Sequence, residues 1–163
     1  MTTGRQPPAL GPRGEGWVVA QLVLFAAIAM AGLSDASAQG GALWGPATNA
    51  LGYVGMVLGC ALAAWGGWDL RASLSPFPRP TAGAALVQDG AYRLIRHPIY
   101  SGVVLAALGW GVVNGSAVSI LLAGALFVLF DLKSRREELW LEEVLPGYPA
   151  YRARTKRFIP WLY

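Results

Sequence analysis

Charge is scarce in this chain. Asp, Glu, Lys and Arg make up 13% of it, about half the ~25% of an ordinary soluble domain. Cysteine is rarer still: Cys60 stands alone, which excludes an internal disulfide framework and a multi-cysteine metal site. Because Cys60 sits in an apolar run, it reads as a small buried hydrophobe and not as a nucleophile. His97 is the only histidine, and no metal site is expected. Two stretches, 34–48 and 114–115, contain no Lys or Arg, and Pro98 to Phe130 carries no charge at all. With no charge inside the apolar segments before Asp131, no polar path for a transporter or channel is visible.

What is abundant is apolar length. Hydrophobic residues make up 55% of the 163, which fits one domain by length and an integral membrane protein by composition. Trp17 to Leu33 and Asn49 to Trp68 form apolar runs of 17 and 20 residues, near the ~20 needed to cross a hydrocarbon core. Pro98 to Phe130 is broken by the turn-forming Val113-Asn114-Gly115-Ser116. It therefore reads as a helical hairpin, Ile99 to Val113 and Ser116 to Leu132, each arm short for a full span. The expected fold is all-α and integral to the membrane, with about four transmembrane helices. The third and fourth form a tight hairpin, and a loop with short C-terminal helices builds the site. Residues 1–16 are expected as a flexible N-terminus, 17–68 as two scaffold spans, and 85–160 as the region that carries chemistry.

All 13 basic residues fall on one side of this topology. Under the positive-inside rule both termini are cytoplasmic, in a bacterial-type inner or cytoplasmic membrane. Since the basic residues follow topology, no nucleic-acid partner is expected. One competitor is a cleaved secretory signal, imitated by Arg5, Arg13, the first apolar run and Ala36-Ser37-Ala38. Gly52, Gly55 and Gly59 lie along one helix face and read as a close-packing seam, since small residues let helix backbones approach. Trp17, Trp44, Trp65, Trp68, Trp110 and Tyr53 fall near segment ends, as interfacial anchors do.

The polar residues gather at one rim. Leu74 to Pro80 has three prolines in five residues, which forbids a regular helix. Asp89-Gly90 predicts a turn before Arg93 and Arg96-His97-Pro98. Pro98 suits the first helical position, with His97 at the N-cap, where an anionic group would meet free N–H groups and a positive helix end. Past the fourth segment, Glu137, Glu138, Glu142 and Glu143 stand as i,i+4 or i,i+5 neighbours of Lys133, Arg135 and Arg136. Leu145-Pro146-Gly147-Tyr148-Pro149 then stops the helix, and Tyr151 to Arg157 is basic, as a lipid-facing anchor would be. Taken singly, His97 reads as a cap and the glutamates as a solvated face. Together, a cationic cradle and a carboxylate pair match a ligand carrying both a carboxylate and positive charge. S-adenosylmethionine is such a molecule.

Gly90-Ala91-Tyr92-Arg93-Leu94-Ile95-Arg96-His97-Pro98-Ile99-Tyr100-Ser101-Gly102 resembles the signature of the isoprenylcysteine carboxyl methyltransferase family, which belongs with a wider group including phospholipid N-methyltransferases. Glu137-Glu138, Gly147-Tyr148, Tyr151-Arg152 and Arg157-Phe158-Ile159-Pro160 resemble its C-terminal signature, in the same order and spacing. The resemblance implies an integral-membrane methyltransferase using S-adenosylmethionine. By it, His97, Pro98, Tyr100 and Gly102 shape the cofactor pocket, with Tyr92 and Arg96 beside them. Glu137 and Glu138 contact the cofactor's polar groups. Tyr151 and Arg152 close the pocket from the tail, and Arg152 orients an acidic substrate. Glu138 or His97 takes a proton where the nucleophile is a thiol or amine. The chain is shorter than the eukaryotic members that act on prenylated proteins. The expected partners are therefore membrane lipids and a lipophilic or small carboxylate, thiol or amine acceptor. A function of another class also fits this scaffold: a catalytically silent binding or assembly protein.

Overall fold

The computed structural model describes residues 10–11, 13–35, 45–79 and 85–163. Arg5, the Ala36-Ser37-Ala38 motif, Trp44 and Pro80 lie outside them, as does most of the 1–16 segment. Among the described residues five α-helices follow in order: α1 Glu15–Asp35, α2 Pro46–Leu70, α3 Pro98–Val113, α4 Ala117–Val144 and α5 Tyr148–Arg154. Two short 3-10 turns, Arg71–Ser73 and Gly90–Arg93, sit between α2 and α3. Among the described residues the only β pairing is an isolated parallel bridge, Ile95 to Lys156.

The helices α1, α2 and α4, with 21, 25 and 28 residues, are long and apolar enough to cross a membrane. At ~1.5 Å per residue each exceeds the ~30 Å hydrocarbon core. Their outward faces expose Val23, Met30, Leu51, Val57, Leu121 and Val128, each by more than half, an apolar surface that a lipid environment covers and water would not. The molecule is an all-helical integral membrane protein. At 16 residues, α3 reaches only about 24 Å. Helix α4 instead runs unbroken past its apolar part into Lys133–Val144, where the sequence suggests two pieces.

Antiparallel packing of α2 on α3 rests on missing side chains. A Cβ placed on Gly59 would lie 2.5 Å from both the Ala106 nitrogen and the Gly102 oxygen, and one on Gly109 would lie 2.5 Å from the Gly52 oxygen. No real side chain fits at that separation. The glycines that matter recur every seven residues: 52, 59 and 66 on α2 meet 109, 102 and Pro98 on α3. This is the period that keeps two helices in continuous contact. Gly55, expected in the seam, has only ordinary contact at 3.7 Å, whereas Gly66 belongs to it.

On the other side α4 packs against both α3 and α1. Trp110 donates its indole N–H to the Ile28 carbonyl (3.3 Å) and covers Gly32, so it joins helices and is no interfacial anchor. Ser116 caps α4 by accepting from the Ser119 N–H (3.0 Å) and donates to the Asp35 carboxylate (2.7 Å). Cys60 is exposed on the outward surface of α2 and not buried as its apolar surroundings suggest.

Candidate functional site

Two segments far apart in sequence are joined at the start of α3. The Arg96 and His97 N–H groups donate to the Lys156 and Arg157 carbonyls at 2.8 and 3.0 Å. Those two donors are thereby satisfied inside the fold and are not left for an anion. Ser101 Oγ donates to the Phe158 carbonyl (2.8 Å), and Tyr151 donates its hydroxyl proton to the Tyr92 carbonyl (2.6 Å). The Arg96 guanidinium reaches the Arg152 carbonyl (3.1 Å) and that of Thr155. Upstream, Asp69 at the end of α2 accepts from the Ala91 N–H (2.8 Å). Gly90, at φ +58°, sits so close that a Cβ would meet the Asp69 carboxylate at 2.1 Å. The predicted Asp89-Gly90 turn therefore needs glycine for both its backbone angle and its clearance.

The hub of the cluster is Glu138, 1% exposed. Its Oε1 accepts from Arg96 Nε (2.9 Å), His97 Nε2 (3.1 Å) and Arg157 Nε (3.2 Å), and its Oε2 from Arg157 Nη2 (3.0 Å). Arg152 Nε stands 3.7 Å from Oε2. Glu138 lies about 31 Å along α4 from Ala117, beyond a hydrocarbon core of ~30 Å. Burial pushes its carboxyl upward, but the bonds from His97, Arg157 and Arg96 outweigh this and hold it well below the usual carboxylate range. Burial lowers the Arg157 guanidinium, and bonds to Glu138 and Asp131 more than reverse this, leaving it raised. Facing an ionised Glu138, His97 Nε2 carries a proton and donates it to this bond.

Beside this hub is a cavity of about 110 Å³. Its polar wall comes from Arg96, His97, Tyr100 and Glu137, with Tyr100 donating to the Glu137 carboxylate (2.8 Å). The imidazole of His97 stacks parallel to the Tyr100 ring, centroids 5.3 Å apart. The apolar wall comes from Leu70, Leu86, Leu141 and Leu145, with Tyr92, Tyr148 and Tyr151 beside them. Residues Leu74, Ser75, Phe77 and Pro78 of the proline-rich loop line it as well. Burial holds the Tyr92 and Tyr148 hydroxyls far above their ordinary range and lifts Tyr151 to about 12, so all three are neutral donors at physiological pH.

Of the residues singled out in the sequence, Tyr92, Arg96, His97, Tyr100, Glu137 and Tyr151 line this one cavity. Glu138 stands behind its wall. Pro98 and Gly102 lie in the α2–α3 seam, against Gly66 and Gly59. The Arg152 side chain is 44% exposed and binds Glu142. The expected ladder of α4 glutamates with Lys133, Arg135 and Arg136 is replaced by other partners. Arg135 binds Asp131 (2.7 Å), and Arg136 lies over the Trp140 ring. Lys133, 1% exposed, reaches Gln21 (2.8 Å) and the Pro76 carbonyl (3.0 Å), tying α1 to the proline-rich loop. Three residues of the site were not singled out: Arg157, Lys133 and Tyr148. In the sequence Arg157 and Tyr148 stand inside the C-terminal signature without a role of their own, and Lys133 stands only as an expected partner of the α4 glutamates.

The architecture is that of a helical membrane protein whose polar cluster joins the start of α3 to the end of α4. The phospholipid methyltransferase family model matches residues 47–146, well over half of the chain, and the chain belongs to that family. It is similar to the cobalt-zinc-cadmium resistance protein CzcN of Cupriavidus metallidurans. The two are 37% identical over 78 residues, 47% of this chain and 36% of that protein. It is also similar to the protein-S-isoprenylcysteine O-methyltransferase of Schizosaccharomyces pombe, 36% identical over 77 residues, 46% of this chain and 33% of that protein. The aligned part thus spans about a third of the length of these curated relatives.

Proposed function

We propose that this protein is an S-adenosylmethionine-dependent methyltransferase acting at the membrane surface on a lipophilic or small carboxylate, thiol or amine acceptor. The observation that carries the reading is a cavity lined by both motif-bearing segments, Tyr92–Tyr100 and Glu137–Tyr151. Its two characters fit such a cofactor. Leucines and tyrosines offer a flat ring an apolar slot, while Glu137, Tyr100, Arg96 and His97 offer partners to hydroxyl, ammonium and carboxylate groups. The family membership and the methyltransferase name of the fission-yeast relative support it.

The bound cofactor supplies a methyl group already activated on a sulfonium. The residues of the chain bind, orient and exclude water. Glu137 and Tyr100 hold polar groups at the rim, and the proline-rich loop covers the cavity. His97 Nδ1 is the proton acceptor for a thiol or amine nucleophile, whereas a carboxylate nucleophile needs none. Glu138, saturated by arginines, is a weak base and acts as a positioning residue: it fixes the His97 ring, Arg96 and the tail. Arg152, on the outer side of Glu138, meets an acidic acceptor. Pro98 and Gly102 set the height of α3 against α2 and so the shape of the cavity mouth.

In this reading the chain crosses the membrane four times with α3 the short member, and both termini and the cavity face the cytoplasm with the basic residues. The direct test is incubation of purified protein and a membrane extract with methyl-labelled cofactor. A labelled lipophilic product that depends on His97 is the expected result. A protein that neither binds nor transfers under these conditions is the silent membrane module instead.

A further inference from the structure

Tyr148 has a property shared by no other residue of the cavity wall. It is 2% exposed, and its hydroxyl is buried without a hydrogen-bond partner among the described residues. A buried hydroxyl left unsatisfied costs free energy, which native folds rarely accept without a use. Leu86, Leu141 and Leu145 pack against the tyrosine cluster that holds it, and the Tyr151 ring meets it edge-on with centroids 5.9 Å apart. Glu138, Arg96 and Glu137 act on the hydroxyl through their charge, but none is bonded to it. The Tyr151 hydroxyl is already committed to the Tyr92 carbonyl. The apolar end of the cavity thus carries one fully buried donor without a partner among the described residues.

We infer that Tyr148 is a ligand-reading residue, whose hydroxyl donates to an acceptor nitrogen of a heteroaromatic base seated between the leucines and tyrosines of the apolar end. This rests on the cofactor reading above and deepens it: the nucleoside base lies toward Leu86, Leu141 and Tyr148, and its amino-acid portion toward Glu137 and His97. An aliphatic lipid chain in that end would leave the hydroxyl unpaired, so the slot selects a ring with an in-plane acceptor over hydrocarbon.

The test is Tyr148→Phe in the full chain in detergent, read by calorimetric affinity for S-adenosylhomocysteine and by thermal stability without ligand. Removing one neutral hydrogen bond weakens binding by roughly three- to tenfold. The ligand-free variant should be as stable as the wild type or more so, because the phenylalanine carries no unsatisfied group. Equal affinity in variant and wild type overturns the inference and leaves the cofactor reading standing. A ligand-free variant that unfolds earlier overturns it too, since the hydroxyl would then be structural. If the wild type itself does not bind S-adenosylhomocysteine, the cofactor reading fails, a result distinct from either.

Discussion

Replacing Glu138 with Gln probes the site most sharply. The carboxylate is buried and accepts four hydrogen bonds from Arg96, His97 and Arg157. The amide keeps the shape but loses the charge and one acceptor oxygen, so buried guanidinium groups are left against an N–H₂. Breaking a buried ion pair by removing one partner costs about 3–5 kcal/mol. Arg96 retains the Arg152 and Thr155 carbonyls and Arg157 retains Asp131, which puts the expected loss at the lower end, about 3 kcal/mol. Glu137→Gln, one residue away, loses the charge that accepts from Tyr100 and favours the Lys133 ammonium and should cost less, about 1.5 kcal/mol, while weakening ligand binding. Equilibrium unfolding in mixed micelles measures both. Adding Arg157→Gln to Glu138→Gln should cost at least about 1 kcal/mol less than the two single losses together, because it removes a stranded charge.

The pH dependence has a fixed sign. The Glu138 carboxyl is held low in the folded state, so its contribution is complete above the ordinary glutamate value of about 4.3 and is lost as pH falls from there through the folded value. The gap between wild type and Glu138→Gln should be flat from pH 8 to about 5 and close below that. A variant as stable as the wild type at neutral pH would refute the reasoning that Glu138 is a hub.

Three other outcomes are expected. Gly59→Val forces a side chain against the α3 backbone and should destabilise by about 1–3 kcal/mol or more, whereas Gly67→Ala, with open space around its Cβ position, should be neutral or stabilising by up to ~1 kcal/mol. Thermal unfolding of the pair decides it. His97→Ala should lower methyl transfer on the order of a hundredfold, while Arg154→Ala, an exposed residue bonded to Gln88, should stay within about twofold of wild type; equal losses would remove the site assignment. Lys133→Met releases the Pro76 carbonyl and should speed hydrogen exchange at the Phe77 amide, and unchanged exchange would mean that the loop is held by other contacts.

The helices were legible because their ends announce themselves: Pro98 begins α3, Asn114-Gly115 ends it, and Ser116 caps α4. The glycine seam was half legible. A one-face reading of α2 finds Gly52 and Gly59, but only the partner helix shows that Gly66 belongs and Gly55 does not. The two adjacent glutamates looked alike in the sequence. They differ because successive residues on a helix point about 100° apart: Glu137 faces the cavity and Glu138 faces the tail. Tyr148 shows in the sequence only through the Gly147-Tyr148 element and Lys133 only through the α4 charge pattern, since what sets them apart is the absence of a bond for the one and burial by segments 57 to 112 residues away for the other.

The most direct measurement of the central claim is ultraviolet photolabelling of the full chain with methyl-labelled S-adenosylmethionine, followed by peptide mapping. Label should appear in both 85–100 and 137–151, and excess S-adenosylhomocysteine should abolish it. Label confined to α1 or the outer face of α2, or to one of the two segments alone, would contradict a shared chamber.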